Sequence, residues 1–179
     1  MAHQLTYHIA LGSNLGHRHA HLQAGVDGID ALPGSTVVAV SGVWETEAHV
    51  REGSPPQPNY LNAVLTCQSS LHPEQLLTHL MAVEQRNGRD RATEHSWKAR
   101  TLDLDILTAA DHVIETDRLQ VPHPRLHRRR FVLEPFAEIA VELVIPAPFH
   151  RSVGYLLGAC PDRTEVRLTP HTLQLPRRA

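Results

Sequence analysis

Tyr60-Leu61-Asn62-Ala63-Val64-Leu65-Thr66-Cys67 alternates residue by residue. Tyr60, Asn62, Val64 and Thr66 fall on one face, and Leu61, Ala63, Leu65 and Cys67 on the other. Successive strand side chains point to opposite sides, so the segment reads as a strand with one wholly apolar face and one mixed face. Upstream, Thr6 to Leu11 is a short apolar strand, and Gly12-Ser13-Asn14-Leu15-Gly16 is a turn able to cap the next helix through Ser13 or Asn14. Leu15, Leu22, Val26, Ile29 and Leu32 recur at helical spacing, and Pro33-Gly34 ends that pattern. Thr36 to Trp44 is valine-rich and reads as a strand, followed by a loop from Glu45 to Asn59 carrying Gly53, Pro55, Pro56 and Pro58. So long a loop points to a functional segment.

Downstream, Pro73 opens a second helix with an apolar stripe of Leu76, Leu77, Leu80, Met81 and Val83, ending near Asn87-Gly88. Glu84 falls on that stripe, either snorkelling at its edge or orienting a neighbour from beneath a site. A basic loop from Arg89 leads into Arg100-Thr101-Leu102-Asp103-Leu104-Asp105-Ile106-Leu107, a further strand. Strand-like pieces at 112–114 and 119–121, helices over 131–140 and 152–158, a late strand over 165–168 and a loose tail from about residue 170 complete a single domain spanning 1–179. The order strand, helix, strand, strand, helix, strand is that of an α+β, ferredoxin-like antiparallel sheet. Its helices are expected on one face, leaving Tyr60, Asn62, Asp103 and Asp105 on an open substrate-binding face.

Asp103 and Asp105 are two carboxylates on one side of a strand whose other side is apolar. They repel, and burying them unpaired is costly, so a cation should cover that face. Two readings are open. A hard divalent ion such as magnesium takes one or two carboxylates and completes its shell with water and phosphate oxygens. Alternatively, Lys98 and Arg100 neutralise the pair as ordinary salt bridges.

A chain of 179 residues is long enough for one proper core. Its formal charge of -2 generates no field that would draw nucleic acid or an anionic membrane, so any polyanion must be bound locally. Lys98 is the only lysine; the remaining cations are arginines, whose planar fork suits phosphate. Cys67 and Cys160 lie too far apart for a paired metal motif, and no signal peptide or membrane span is apparent, which points to a reduced cytoplasm. His17, His19 and His21 read as a solvated face, since nothing acidic or sulfur-bearing accompanies them.

Tyr60 and Asn62 offer a flat ring and an amide, equipment for reading a planar heterocycle. Gly88-Arg89-Asp90-Arg91, Trp97 and Arg100 supply forked cations beside an aromatic. His123 is held between Pro122 and Pro124, and Arg129-Arg130-Phe131 adds cation and ring at a helix start. Neither a Gly-x-Gly-x-x-Gly cradle nor a P-loop is present. Phosphate charge would be met by metal and arginines, enough for transfer chemistry that depends on positioning and electrostatics.

Together these elements resemble the 6-hydroxymethyl-7,8-dihydropterin pyrophosphokinases of folate biosynthesis. The resemblance is carried by Ala10-Leu11-Gly12-Ser13-Asn14-Leu15-Gly16, Gln57-Pro58-x-Tyr60-Leu61-Asn62, Glu84 with Gly88-Arg89-x-Arg91, Arg100 to Ile106, Pro122-His123-Pro124 and Arg129-x-Phe131-Val132-Leu133-x-Pro135. It implies transfer of the terminal diphosphate of ATP to the hydroxymethyl oxygen of the dihydropterin, with release of AMP. Asp103 and Asp105 would hold two magnesium ions, and Thr46, Tyr60, Asn62 and Phe131 would bind the pterin. Arg89, Arg91, Arg100 and His123 are implied as catalytic, with ATP contacts from Glu84, Trp97, Arg100, Ile106, Arg118, His123 and Arg129. Arg128-Arg129-Arg130 leaves that last assignment open by one position. The resemblance implies a cytoplasmic monomer acting on ATP and the pterin, without nucleic acid or membrane. Competing readings are a metal-dependent kinase with another small acceptor and a ferredoxin-like RNA-binding domain. The second needs more sheet aromatics and a basic surface than this chain has.

Overall fold

The computed structural model describes residues 4–48, 56–89 and 99–176. In chain order the elements are β1 (Leu5–Ser13), α1 (Arg18–Asp30), β2 (Ser35–Val40), β3 (Trp44–Thr46), β4 (Tyr60–Ser69), α2 (Pro73–Arg86) and β5 (Asp103–Ala109). They continue with β6 (Ile114–Glu115), β7 (Gln120–Val121), a 3-10 turn (Leu126–Arg128), α3 (Arg130–Ala140), β8 (Val144–Ile145), β9 (Arg151–Ser152), α4 (Val153–Gly158) and β10 (Val166–Leu168). The main sheet is antiparallel in the order β10-β3-β4-β1-β5, with β2 also pairing β4.

The valine-rich segment expected as one strand is two. β2 pairs with the far half of β4, from Ser69 to Leu65, and β3 with its near end, from Asn62 to Tyr60. Between them the Ser41 hydroxyl accepts the Val64 N–H at 3.0 Å, standing in for a ladder carbonyl and letting the chain step aside. The first helix also differs from expectation. It begins at Arg18, after His17, and neither Ser13 nor Asn14 caps it. Leu15 lies outside the helix and is exposed. Gly28 marks a close approach, since a Cβ there would come within 2.8 Å of Val83 on α2.

One sheet face is sealed as expected: Tyr7, Ile9, Leu11, Leu61, Ala63, Leu65, Cys67, Leu104 and Ile106 pack against Leu22, Val26 and Ile29 of α1 and Leu76, Leu80 and Val83 of α2. The expectation of helices on one face only is corrected. A second apolar cluster joins Val64 of β4 and Leu107 of β5 to Val132, Leu133 and Phe136 of α3 and Val153 and Leu156 of α4. The physical reason lies in the strands themselves. Each carries apolar residues on its second face at one end and polar ones at the other, so only half of that face needs a cover. Burying a side chain such as Phe136 stabilises by roughly 1.5–3 kcal/mol. Glu138, near the far end of α3, accepts the Gly42 N–H and the Trp44 indole N–H at 2.9 and 3.1 Å, tying that helix to β3.

The expectation of a loose tail is corrected for residues 172–174. Leu173 is buried in the first cluster, the Thr172 carbonyl lies 2.9 Å from His19 Nε2, and Gln23 of α1 exchanges two hydrogen bonds with the Gln174 backbone. An apolar residue among polar ones was enough to anchor the strap. Both cysteines are free and buried. Among the described residues no helix is long and apolar enough to cross a membrane.

His8 of β1 is buried under Phe136, 5.0 Å between ring centroids, with Nδ1 2.7 Å from Thr108 Oγ1. Burial pushes its pKa down from 6.5 to about 4. The unfolded chain therefore takes up this proton as the pH falls below 6.5, while the folded chain resists until about 4, so stability is lost across that window. Between pH 7.5 and pH 5 the loss from this group is about 2 kcal/mol. Urea unfolding of His8→Asn should show a pH dependence shallower by that amount, and an unchanged pH dependence would contradict it.

Candidate active site

Register alone assembles the site. Trp44 of β3 pairs with Asn62 of β4, Asn62 with Gly12 of β1, and Gly12 with Asp103 of β5, forming one row across the second sheet face. Adjacent strands lie about 4.8 Å apart, so Asn62 and Asp103 stand roughly 10 Å from each other with Gly12 between them. Gly12 has no side chain to fill that gap. A Cβ on it would sit 3.6 Å from both Asn62 Oδ1 and the Tyr60 ring, and 3.9 Å from Asp103 Cβ. Gly12 is thus the floor joining the amide and aromatic side of the site to its carboxylate side. In the sequence it read only as a turn residue.

On the aromatic side, Asn62 Nδ2 donates to Thr46 Oγ1 at 3.0 Å, and both residues are buried. That bond fixes which end of the amide faces Gly12, leaving the acceptor oxygen toward the floor. Phe131 stands at the start of α3, with the Arg129 guanidinium 5.8 Å from its ring centroid.

On the carboxylate side, α2 ends in a Schellman turn: the Arg89 N–H bonds the Glu84 carbonyl and the Gly88 N–H bonds the Gln85 carbonyl. Gly88 takes the positive φ of 86° that this turn requires. The turn folds Arg89 back beneath β5. Its guanidinium there donates to Glu84 Oε1 at 2.6 Å and to Asp103 Oδ1. Glu84 Oε1 also accepts the Leu104 N–H at 2.8 Å. Glu84 is fully buried beneath the site, where it supports Arg89 and β5. Arg100 donates to Asp103 Oδ2 at 2.8 Å, and Arg129 to Asp105 Oδ2 at 3.3 Å. Arg100 and Asp103 thus form an ion pair in this structure.

The two carboxyls are held differently. Burial raises the Asp103 pKa, but the charges of Arg100 and Arg89 outweigh it and keep the group below the usual carboxylate range. Burial, reinforced by the charge of Asp103, pushes Asp105 up against the weaker pull of Arg129. His123 is fixed beside β5 by its N–H bond to the Leu107 carbonyl, and its Nδ1 accepts the Arg125 N–H. Its Nε2 lies 3.4 Å from Arg129 Nη1 and 3.9 Å from Asp105 Oδ2. Burial first, then the charges of Arg129 and Arg125, lowers the His123 pKa to about 4. The imidazole is therefore neutral near neutral pH.

Of the three consecutive arginines, Arg129 faces Asp105, Arg128 donates to His127 Nε2, and Arg130 pairs with Glu134. Two residues expected to contact ATP have their side chains engaged elsewhere in this structure. The Ile106 side chain is in the core on the opposite face, as strand alternation requires. Arg118, before β7, donates to Thr78 Oγ1 of α2 at 3.4 Å. Arg91 and Trp97 lie outside the described residues.

Sequence reading missed the role of Asn14. Its Oδ1 accepts the Arg100 N–H at 2.7 Å, while its Nδ2 donates to Gln57 Oε1 and to the Pro58 carbonyl, each at 3.2 Å. One buried amide thus pins the arginine strand to the loop entering Tyr60. Its four-bond capacity was legible from residue type, but its partners were not.

A family model described as 7,8-dihydro-6-hydroxymethylpterin-pyrophosphokinase (HPPK) matches residues 8–141. The chain belongs to this family. Among relatives of the HPPK family, the 2-amino-4-hydroxy-6-hydroxymethyldihydropteridine pyrophosphokinase of Haemophilus influenzae is 39% identical over 93% of this chain and 99% of its own length. The enzyme of that name from Pseudomonas aeruginosa is 38% identical over 86% of this chain and 91% of its own. A crystal structure of Plasmodium falciparum HPPK-DHPS superposes with a TM-score of 0.67 at 11% identity, covering 87% of this chain. That likeness concerns the fold alone, and this HPPK-family chain spans 44% of the solved one.

Proposed function

We propose that this chain transfers the diphosphate of ATP to the hydroxymethyl oxygen of 6-hydroxymethyl-7,8-dihydropterin, yielding the pterin diphosphate and AMP in folate biosynthesis. The observation that supports this reading is the row Trp44, Asn62, Gly12, Asp103, in which an amide and a carboxylate flank a glycine floor, with Asp105 two residues beyond Asp103 on the same face. The pterin ring lies between Tyr60 and Phe131, with Asn62 Oδ1 accepting from its edge and the backbone near Thr46 completing recognition. ATP approaches from the Asp103 and Asp105 side.

The donor set fits magnesium. Among the described residues no group of three or more His, Cys, Asp and Glu side chains gathers as a metal cage. Two carboxylates on an otherwise cationic surface are what an ion retaining water and phosphate ligands uses. Bound there, two magnesium ions would neutralise charge on the polyphosphate and orient it. Arg100 and Arg129 would exchange their aspartate contacts for phosphate oxygens, and His123 would meet the phosphates through Nε2. Arg91 and Trp97 belong to this proposal as residues that close over the nucleotide.

In the transfer, the hydroxymethyl oxygen bonds to the β-phosphorus of ATP and the bridge to the α-phosphate breaks, so AMP leaves. A ferredoxin-like classification is supported by the strand order β5-β1-β4-β2 with α1 and α2 on one face. We place the protein in the cytoplasm as a monomer, in keeping with two free buried cysteines. Incubation with ATP, magnesium and the hydroxymethyldihydropterin should yield AMP and pterin diphosphate in equal amounts. ADP as the nucleotide product would overturn the reading and favour an ordinary kinase.

A further inference from the structure

We propose that Asp162 is a positioning residue for the pterin side of the site. This rests on the proposed stacking role of Phe131. α3 begins at Arg130 without a side-chain cap from its own N-cap residue, Arg129. The first N–H groups of a helix have no partner within it, and a short polar side chain normally supplies one. Here the acceptor comes from far down the chain: Asp162 Oδ2 takes the Arg130 N–H at 3.2 Å. Its other oxygen, Oδ1, accepts the Thr164 N–H at 2.9 Å, so the carboxylate is braced at both ends. A negative charge at this end of a helix is also favoured by the helix dipole.

The location gives the cap its consequence. Arg130 stands between Arg129, which bonds Asp105 and lies over the Phe131 ring, and Phe131 itself. A first turn that frays would move the pterin ring's wall and the arginine together. Asp162 is itself fixed on both sides. Before it, Cys160 is buried in the cluster that seats α3 and α4. After it, β10 pairs with β3, the strand carrying Thr46. One short segment therefore ties down the helix start behind Phe131 and the strand edge behind Thr46. It lies beyond residues 8–141, the part of the chain that the family model matches.

The test compares three variants by pterin titration in the presence of magnesium and a non-hydrolysable ATP analogue, together with KM, kcat and thermal melting. Asp162→Ala should weaken pterin binding about fivefold, the scale of one lost helix cap. Asp162→Asn, which keeps an acceptor oxygen, should restore most of that. Ser152→Ala is the matched control: Ser152 caps α4 through its bond to the Tyr155 N–H, so its loss should lower the melting temperature and leave pterin affinity unchanged. Phe131→Ala separates the two proposals. If it loses pterin affinity while Asp162→Ala does not, or if Ser152→Ala weakens the pterin as much as Asp162→Ala does, the positioning role is overturned alone. If Phe131→Ala binds pterin normally, the stacking role and the positioning role both fall.

Discussion

Asp103→Ala and Asp105→Ala should each lower turnover by a factor on the order of a thousand or more, the scale on which placed electrostatic groups contribute to transfer chemistry. Pterin binding should change little, because the proposed pterin position rests on Tyr60, Asn62 and Phe131 and on neither carboxylate. The two variants should differ in stability. Asp103 is held by Arg89 and Arg100, so removing it leaves two guanidiniums without that partner. Asp105 is held up in pKa beside Asp103, and its removal relieves a repulsion. Asp105→Ala should therefore melt at or above the native temperature while remaining inactive, a signature of a site that trades stability for function. Near-native turnover in either variant, measured as AMP release, would remove the carboxylates from the metal role.

Arg89→Ala should be the most destabilising single change at the site. The Arg89 side chain is 5% exposed and the Glu84 side chain 1%, so its loss takes a cationic partner from a buried carboxylate. Breaking one side of such a pair costs roughly 3–5 kcal/mol, whereas replacing both partners with uncharged groups of similar size is often close to neutral. Arg89→Met combined with Glu84→Gln should thus recover most of the folding stability in urea while turnover stays low, since Asp103 is then held by Arg100 alone. A loss under about 1 kcal/mol in Arg89→Ala would mean that water reaches Glu84 and that the pair is not sealed.

Strand periodicity carried most of the fold into view. The faces of β4 and β5 were legible from alternation, and with them the grouping of Tyr60, Asn62, Asp103 and Asp105. What alternation does not reveal is how far along a strand a face changes character. Val64 and Leu107 share a face with Asn62 and Asp105, and their need for cover brought α3 and α4 over half of it. Nor does local sequence tell whether a carboxylate on a helix stripe snorkels or is buried. For Glu84 that was decided by Arg89, which reaches it only because Gly88 allows the chain to turn back. Asn14 and Asp162 were invisible for a related reason: each acts through partners more than thirty residues away.

The Asn14 clamp has a kinetic corollary. Its partners stand 43 and 86 positions along the chain, and the floor beside it exists only once β1 has paired on both sides. Contacts of such sequence separation form late and carry a large loop-closure cost. A chain lacking either pairing of β1 has an incomplete floor. A ligand that needs the whole floor therefore binds the native state, and at saturation it stabilises that state by mass action.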